Sequence, residues 1–233
     1  MSYIKFKKTK IVATLGPGCS SKTMLQRLIK AGVNVFRINF SHATYDEADR
    51  HIELIRTLNQ ELDANVAILA DLQGPKIRVG KMEDGVVFKK GDEFTLSTAK
   101  EIVGNKTEAS LSYKDFAKDV KKGDKVLVDD GKLIFEVIST NKKDEVKLRN
   151  IQGGKLSSKK GVNLPNTKIS TPSLTKKDKK DLIYAISKEL DWIALSFVRD
   201  ANDMTNLRDL IEKKSDEKIP IIAKIEKPEA IKN

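Results

Sequence analysis

The stretch VFRINFSH, residues 35–42, combines an apolar strand pattern with polar side chains at every second position. Arg37, Asn39 and Ser41 alternate with apolar residues, and alternate side chains of a strand point to opposite faces of its sheet. The three polar groups are therefore expected on one face, where burial without partners is costly. We interpret them as lining a hydrated pocket at the carboxyl end of a strand. A strand whose polar face simply meets solvent is the alternative that this stretch alone leaves open.

The chain before and after this stretch alternates between strand and amphipathic helix. The predicted elements are a strand at 10–15, a helix opened by Ser20 or Ser21 and closed by Gly32, the strand at 35–42, a helix at 45–62 and a strand at 66–71. Apolar residues recur at helical spacing in the two helices, at Met24, Leu25, Leu28 and Ile29 and at Ile52, Ile55, Leu58 and Leu62. Strands separated by helices in this way are typical of parallel β/α units.

Residues from about 74 to 172 contain no long helical period. Short alternating runs at 93–96, 125–128, 132–137 and 145–148 predict strands instead. The triplet Asp129-Asp130-Gly131 predicts a hairpin turn between two of them. We therefore predict a small all-β domain inserted after the third strand.

Helix and strand alternate again from Thr175, which is expected to cap a helix. A strand at 191–197, a helix at 200–214 and a strand at 219–226 follow. A closed β/α barrel takes eight strands, and the pattern supplies fewer. An unclosed parallel sheet is possible but would leave its edge strands exposed, so we expect an α/β barrel that is incomplete in this chain and a sequence that is part of a longer protein. The expected domains are 1–74 and 172–233 for the barrel and 75–171 for the all-β insertion.

The amino-acid composition limits the classes of molecule that this chain is expected to bind. The formal net charge is +11, from 44 basic and 33 acidic residues, but the lysines are scattered among acids, as at 176–181. Aromatic residues are few, and no interleaved stacking platform is present, so we expect no nucleic-acid partner. Small anions such as phosphates suit the charge. Cys19 is the single cysteine and no apolar run approaches the ~18 residues of a membrane span, which favours a cytoplasmic protein without a membrane partner.

Each predicted parallel strand after the first ends in polar or charged residues. They are Arg37, Asn39 and Ser41 on the second strand, then Asp71, Ser196, and finally Lys224 with Glu226. Active sites of β/α barrels lie at the carboxyl ends of their strands, so these side chains are expected to converge. Lys224 and Glu226 are two positions apart, and a cation beside a carboxylate can position a phosphate and a metal together. Considered alone, Lys224 and Glu226 are also consistent with a structural ion pair. Asp71 alone is also consistent with a turn or capping residue.

Six segments resemble the pyruvate kinase family. They are KIVATLGP at 10–17, RINFSH at 37–42, DLQGPKIR at 71–78, VDDG at 128–131, SKKGVNLP at 158–165 and IAKIE at 222–226. They follow the order that the family has and run from end to end of the chain. The resemblance implies an α/β fold of the (β/α) TIM-barrel type, incomplete in this chain, with a small all-β barrel domain inserted after the third strand as a lid, in agreement with the organisation predicted above.

The resemblance also implies a reaction, the transfer of a phosphoryl group from phosphoenolpyruvate to ADP in glycolysis, giving pyruvate and ATP. The implied cofactor is a divalent metal, Mg²⁺ or Mn²⁺, with Glu226 as its ligand. Arg37 and Lys224 are the implied catalytic residues. Arg37 holds the substrate phosphate, Lys224 neutralises charge on the transferring phosphoryl group and on the enolate, and Ser196 helps to bind the substrate.

The nucleotide is implied to contact four further positions. Asn39, His42 and Arg78 lie along its phosphates, and Lys160 reaches in from the lid, whose closure excludes water. Without the family match, Lys160 and the lysine before it are equally consistent with a solvated loop. The turn role of residues 129–131 is likewise favoured, although lids of the family place an Asp there near the site.

The first departure from the family pattern concerns the residues that bind potassium. Members that need it bind it with an Asn, a Ser and an Asp, which match Asn39, Ser41 and Asp71, and with a Thr, whose place is taken by Leu72. Lys76 stands where those members carry Glu, and an ammonium can replace a monovalent cation because both are compact charges. We predict that K⁺ is not required.

A second departure concerns the metal. The family's Arg-Gly-Asp motif, which supplies the second carboxylate ligand, is expected beyond Asn233. We therefore expect negligible activity from the 233-residue chain alone, and a homotetramer for the full-length protein. The alternatives are a non-catalytic module that retains substrate- or nucleotide-binding elements, and another phosphoenolpyruvate-using barrel enzyme. The latter class should lack the segment 158–165.

Overall fold

The computed structural model describes residues 8–233, which form two compact units. One unit combines the chain up to Gly74 with Ser173–Asn233, and the other is Pro75–Pro172. In chain order the strands are β1 (Val12–Thr14), β2 (Val35–Asn39), β3 (Ala67–Asp71), β4 (Ile77–Arg78), β5 (Val87–Phe88), β6 (Glu93–Ser97), β7 (Glu108–Ser110), β8 (Lys125–Val128), β9 (Leu133–Thr140), β10 (Glu145–Gln152), β11 (Gly154–Lys155), β12 (Gly161–Asn163), β13 (Trp192–Leu195) and β14 (Ile221–Ala223). The helices are α1 (Lys22–Ala31), α2 (Tyr45–Leu62), α3 (Phe116–Asp119), α4 (Lys176–Ser187), α5 (Ala201–Glu212) and α6 (Pro228–Lys232).

The first unit is built on a five-stranded sheet in the order β1-β2-β3-β13-β14, in which every neighbouring pair is parallel. Helices follow β1, β2, β13 and β14, and α4 precedes β13. The α/β class expected from the sequence is thus confirmed. Among the described residues this sheet has five strands, whereas a closed TIM barrel has eight.

The helices of this unit begin and end at the expected signals. Ser21, rather than Ser20, caps α1 by accepting the Met24 amide, and Gly32 ends it with a φ of 102°. Thr175 caps α4 in a reciprocal arrangement with Asp178, whose carboxylate accepts the Thr175 amide at 2.8 Å. These caps satisfy backbone groups that the helix itself leaves unpaired.

The alternation predicted for the second strand is confirmed, because Phe36 and Ile38 are buried in the core while Arg37 and Asn39 are only half-buried. The strand is shorter than predicted, ending at Asn39 instead of residue 42. Asn39 starts a turn there: its carbonyl accepts the His42 amide at 3.0 Å, and its side-chain oxygen accepts the Ser41 amide at 3.0 Å.

Two later strands also end before their polar residues. β13 stops at Leu195, and Phe197 then takes a left-handed conformation with a φ of 56° that no strand continues through. β14 stops at Ala223, after which the Lys224 amide makes one more bond to the Leu195 carbonyl, at 3.0 Å. Ser196, Lys224 and Glu226 therefore lie in loops at the carboxyl ends of the strands rather than inside them.

The second unit contains a seven-stranded sheet in the order β4-β12-β8-β9-β10-β6-β7 and a small pair, β11-β5. All neighbours are antiparallel except β6 and β7. The two outer strands meet, because Val79 and Leu111 form an antiparallel bridge and the Gly80 amide donates to the Ser110 carbonyl at 2.8 Å. The sheet thus closes on itself around a core that includes Phe88, Phe94 and Phe135.

The four strands predicted for this unit are present, together with the unpredicted short strands β4, β5, β7, β11 and β12, and the unit is all β with one exception. The predicted turn joins β8 to β9, and Asp129, Asp130 and Gly131 all have positive φ, as such a turn requires. The exception is α3, a single helical turn in a domain that was expected to be all β. Among residues 8–233, no helix has both the length and the apolar character needed to cross a bilayer.

Candidate active site

Asp71, the last residue of β3, is the centre of the charged cluster in the first unit. Its side chain is only 3% exposed, and its Oδ2 accepts hydrogen bonds from Nε of Arg37 at 2.7 Å and from the Nη2 of the same guanidinium. The Nζ of Lys224 lies 3.1 Å from Oδ1 and 3.3 Å from Oδ2. A buried carboxylate needs partners of opposite charge, and here two cations supply them.

Parallel pairing explains why these residues meet. Asn39 is the register partner of Asp71, and Ala194 pairs with Asp71 on its other side. Leu195 in turn pairs with Ala223, the residue before Lys224. Because parallel strands end at one edge of the sheet, side chains far apart in sequence come together there.

Arg37 has a second partner, Thr14, which the sequence did not predict. Its Nη1 donates to Oγ1 of Thr14 at 2.8 Å, and Thr14 is also its register partner on β1. The signal lies in the strand itself, because Thr14 is the polar last residue of β1. A guanidinium has five N–H groups, so these three bonds leave one on each terminal nitrogen, an arrangement that suits a phosphate.

Lys224 joins the other polar residues of the cluster. Its Nζ donates to Oγ of Ser196 at 2.8 Å, and that hydroxyl donates to the Leu72 carbonyl at 2.6 Å. Oε1 of Glu226 lies 3.5 Å from the same ammonium group. The ammonium group is thus held between two carboxylates and a hydroxyl while its side chain keeps 28% exposure.

Glu226 offers the one carboxylate of this cluster that is substantially exposed, at 36%. Its Oε2 accepts the Phe197 amide at 2.9 Å. Among residues 8–233, no group of three or more His, Cys, Asp or Glu side chains is arranged to hold a metal ion. Mg²⁺ is commonly held by one or two carboxylates together with substrate phosphates, so Glu226 fits one ligand of such a complex.

The predicted monovalent-cation ligands have other contacts in the first unit. The Asp71 carboxylate holds Arg37 and Lys224, and Oδ1 of Asn39 accepts the Ser41 amide. Lys76, the predicted replacement for the ion, lies in the second unit. The independence from potassium stays a prediction.

Arg78 and Lys160, predicted nucleotide contacts, belong to the second unit. Nη1 of Arg78 donates to the Lys159 carbonyl at 2.9 Å, and Nζ of Lys160 lies 2.9 Å from Oδ1 of Asp129. The hydrogen bond from Lys160 is the main reason that the pKa of Asp129 is below its ordinary value. Asp129 therefore has two roles in this unit, as a turn residue and as the carboxylate that orients Lys160.

Comparison with known proteins gives consistent matches. A family model described as "Pyruvate kinase, barrel domain" matches residues 6–233. Pyruvate kinase 2 of Synechocystis sp. is 45% identical over 232 residues, covering 97% of this chain and 39% of the relative. The pyruvate kinase of Staphylococcus saprophyticus is 44% identical over 229 residues, with 97% and 39% covered, and that of Clostridium perfringens is 40% identical over 228 residues, with 97% and 48% covered.

The chain therefore spans 39% to 48% of the length of these relatives. The family model covers nearly all of it, and the charged cluster lies within the residues matched. On this match, together with the parallel sheet that gathers Arg37, Asp71 and Lys224 at one edge, the chain belongs to the pyruvate kinase family.

Proposed function

We propose that the whole protein transfers a phosphoryl group from phosphoenolpyruvate to ADP, giving pyruvate and ATP, and that this chain supplies the site for the substrate phosphate. The observation that carries the proposal is the pairing of Arg37 and Lys224 on the single carboxylate of Asp71. Phosphoryl transfer depends on positioning and on charge stabilisation, and a fixed pair of cations can provide both.

In this proposal Arg37 binds the phosphate of phosphoenolpyruvate. Asp71 and Thr14 hold the guanidinium from two sides, and the two remaining N–H groups, one on each terminal nitrogen, donate to phosphate oxygens. Because the orienting bonds exist before substrate arrives, little reorganisation accompanies binding.

Lys224 is assigned to the charge that develops during transfer. Its ammonium group is held by Asp71 and Ser196, and it stabilises negative charge on the phosphoryl group and then on the enolate oxygen. Ser196 positions this ammonium group through its hydroxyl. Glu226 would ligate Mg²⁺ or Mn²⁺, which when bound neutralises phosphate charge.

Four residues are assigned to the nucleotide. Asn39, the last residue of β2, and His42, whose amide donates to the Asn39 carbonyl, lie in the first unit and are assigned to nucleotide phosphates. Arg78 and Lys160 are candidates for the same role, supported by the family motifs that contain them. A homotetramer and independence from potassium complete the proposal for the whole protein.

Pyruvate formation from phosphoenolpyruvate and ADP tests the reaction. We expect activity in the full-length protein and a loss of about 10²-fold or more in Arg37→Lys, because a point charge does not reproduce the guanidinium fork. Arg27→Lys, at an exposed position of α1, is the matched control and should retain full activity. An inactive full-length wild type, or equal activity in Arg37→Lys and the control, contradicts the proposal.

A second candidate function applies to the 233-residue chain by itself, as a module that binds substrate without turning it over. The presence of a single exposed carboxylate in the cluster favours it. Calorimetric titration with phosphoenolpyruvate distinguishes the two: binding without pyruvate formation supports the module, and Arg37→Lys should abolish that binding.

A further inference from the structure

Phe197 has a backbone conformation that a bulky residue rarely adopts. Its φ of 56° lies in the left-handed region, which non-glycine residues enter at a cost and usually only where the surrounding structure holds them. Such positions cluster at functional sites. In this conformation the Phe197 amide donates to Oε2 of Glu226 at 2.9 Å.

The carbonyl side of Phe197 is held by a buried serine. Oγ of Ser173 lies 3.2 Å from the Phe197 carbonyl and 2.7 Å from Oδ2 of Asp203, and Ser173 is 1% exposed. The hydroxyl has one proton, which the two acceptors share, so Ser173 is fixed between them. Burial alone would raise the pKa of Asp203, but hydrogen bonds from Arg199 and Ser173 lower it, which keeps Asp203 an acceptor at neutral pH.

The ring side of Phe197 is held by Gly74. A Cβ at Gly74 would lie 2.9 Å from Cδ2 of Phe197 and 3.1 Å from the Ser196 carbonyl oxygen, so only glycine allows this approach. The Gly74 amide donates to Oδ1 of Asp178 at 3.0 Å, and Asp178 is fully buried. Gly74 and Ser173 are the last and first residues of the first unit on either side of Pro75–Pro172.

We propose that Phe197 is a positioning residue that fixes the Glu226 carboxylate through its left-handed backbone, and that Gly74 and Ser173 hold it in that conformation. Two of its three contacts thus come from the residues at which the chain leaves and re-enters the first unit. The role of Glu226 as a metal ligand rests on the proposed function, whereas the positioning itself rests on geometry alone.

A pair of substitutions separates backbone conformation from ring packing. Phe197→Asn and Phe197→Val both remove the ring, but Asn tolerates the left-handed region whereas a β-branched residue does not. We expect Phe197→Asn to keep the bond to Glu226 and Phe197→Val to lose it. Ser173→Ala tests the support, with Ser187→Ala as its control, because Oγ of Ser187 also donates to a backbone carbonyl, at 2.8 Å, at the exposed end of α4.

Amide hydrogen exchange at position 197 in the 233-residue chain measures the hydrogen bond from this amide to Glu226 directly, and it needs neither metal nor activity. Exchange should be about 10-fold faster in Phe197→Val and Ser173→Ala than in wild type, because loss of one hydrogen bond of ~1.4 kcal/mol corresponds to an exchange rate about ten-fold higher. In Phe197→Asn and Ser187→Ala the exchange rate should stay within about two-fold of wild type. Equal exchange in Phe197→Asn and Phe197→Val, both folded by circular dichroism, overturns the proposal. If Phe197→Val does not fold, Ser173→Ala against Ser187→Ala decides it alone.

The consequence for metal binding is measured by the affinity for Mn²⁺. We follow it by electron paramagnetic resonance in the full-length protein with phosphoenolpyruvate present. Loss of a group that orients a metal ligand typically costs 10–100-fold in affinity, so Ser173→Ala should bind Mn²⁺ at least about 10-fold more weakly. Its KM for phosphoenolpyruvate should change far less than the half-saturating Mn²⁺ concentration. Faster exchange at position 197 with unchanged Mn²⁺ affinity overturns the metal role of Glu226 and leaves the positioning intact.

Discussion

Asp71 and Lys224 are 153 positions apart in the chain, yet the Nζ of Lys224 lies 3.1 Å from Oδ1 of Asp71. The same carboxylate binds Arg37, 34 positions away, so one buried negative charge orients both cations of the candidate active site. The arrangement separates two tasks. Asp71 is nearly inaccessible and orients the two cations, whereas Arg37 and Lys224 keep 29% and 28% exposure and can contact a ligand.

Substitution of Asp71 by Asn should destabilise the chain. The amide retains the shape but not the charge, so Arg37 and Lys224 lose their shared partner, and we expect a decrease of about 2–3 kcal/mol in the free energy of unfolding. Urea denaturation of the 233-residue chain measures it. Asp209→Asn, at an exposed position of α5, should change stability by less than about 0.5 kcal/mol. A similar stability for the two variants would contradict the central role of Asp71.

Substitution of Lys224 by Met should affect turnover more than substrate binding. If its ammonium group stabilises charge that develops during transfer, kcat should fall by about 10²–10³-fold while KM for phosphoenolpyruvate changes little. Lys214→Met removes an exposed lysine near the end of α5 and should leave both constants unchanged. A rise in KM with unchanged kcat would reassign Lys224 to ground-state binding.

Potassium should not activate the full-length protein. Lys76 stands where the potassium-dependent pattern has Glu, and Leu72 has no hydroxyl to offer an ion. We expect equal rates of pyruvate formation in KCl and in tetramethylammonium chloride at the same ionic strength. Several-fold activation by KCl would show that a monovalent-cation site persists.

The 233-residue chain alone should have negligible kinase activity. Glu226 is the one well-exposed carboxylate of the cluster, and a single carboxylate holds Mg²⁺ weakly. The check is pyruvate formation at high protein concentration with Mg²⁺ or Mn²⁺, compared with the full-length protein. Turnover by the short chain within about 10²-fold of the full-length rate would mean that no second protein ligand is needed.

Stability should fall as the pH drops below about 6.5, because of His51 on α2. The side chain is 8% exposed, and Nε2 has no hydrogen-bond partner among the described residues. Burial, and to a lesser degree Arg50, lowers the pKa of His51 from its ordinary 6.5. The unfolded state therefore binds the proton first, so the contribution of His51 is complete above pH 6.5 and is lost as the pH falls toward the lower folded pKa.

Unfolding midpoints in urea between about pH 5.5 and 7.5 measure this dependence. In His51→Gln the slope of stability against pH should flatten over this interval. An exposed-site control is Asn202→Gln on α5, which should retain the wild-type slope. An identical slope in His51→Gln would show that other groups dominate.

Several local features could be predicted from the sequence because they depend on neighbours in the chain. The burial alternation at Phe36, Arg37 and Ile38, the span of α2 and the cap at Thr175 all follow from side-chain spacing and from backbone groups within one turn. The gathering of polar residues at one edge also followed, since parallel strands must end together.

The sequence by itself determined the order of the five parallel strands, the helices between them and the face on which the polar residues lie. Only the tertiary structure decided which side chains are in contact. The Asp71 carboxylate binds both Arg37 and Lys224, and Thr14 is a further partner of Arg37. Phe197 adopts a left-handed backbone conformation and donates its amide to Glu226. The reason is physical. Periodicity and capping arise within a few residues, whereas these contacts depend on sheet order and on where each strand stops, which long-range packing sets.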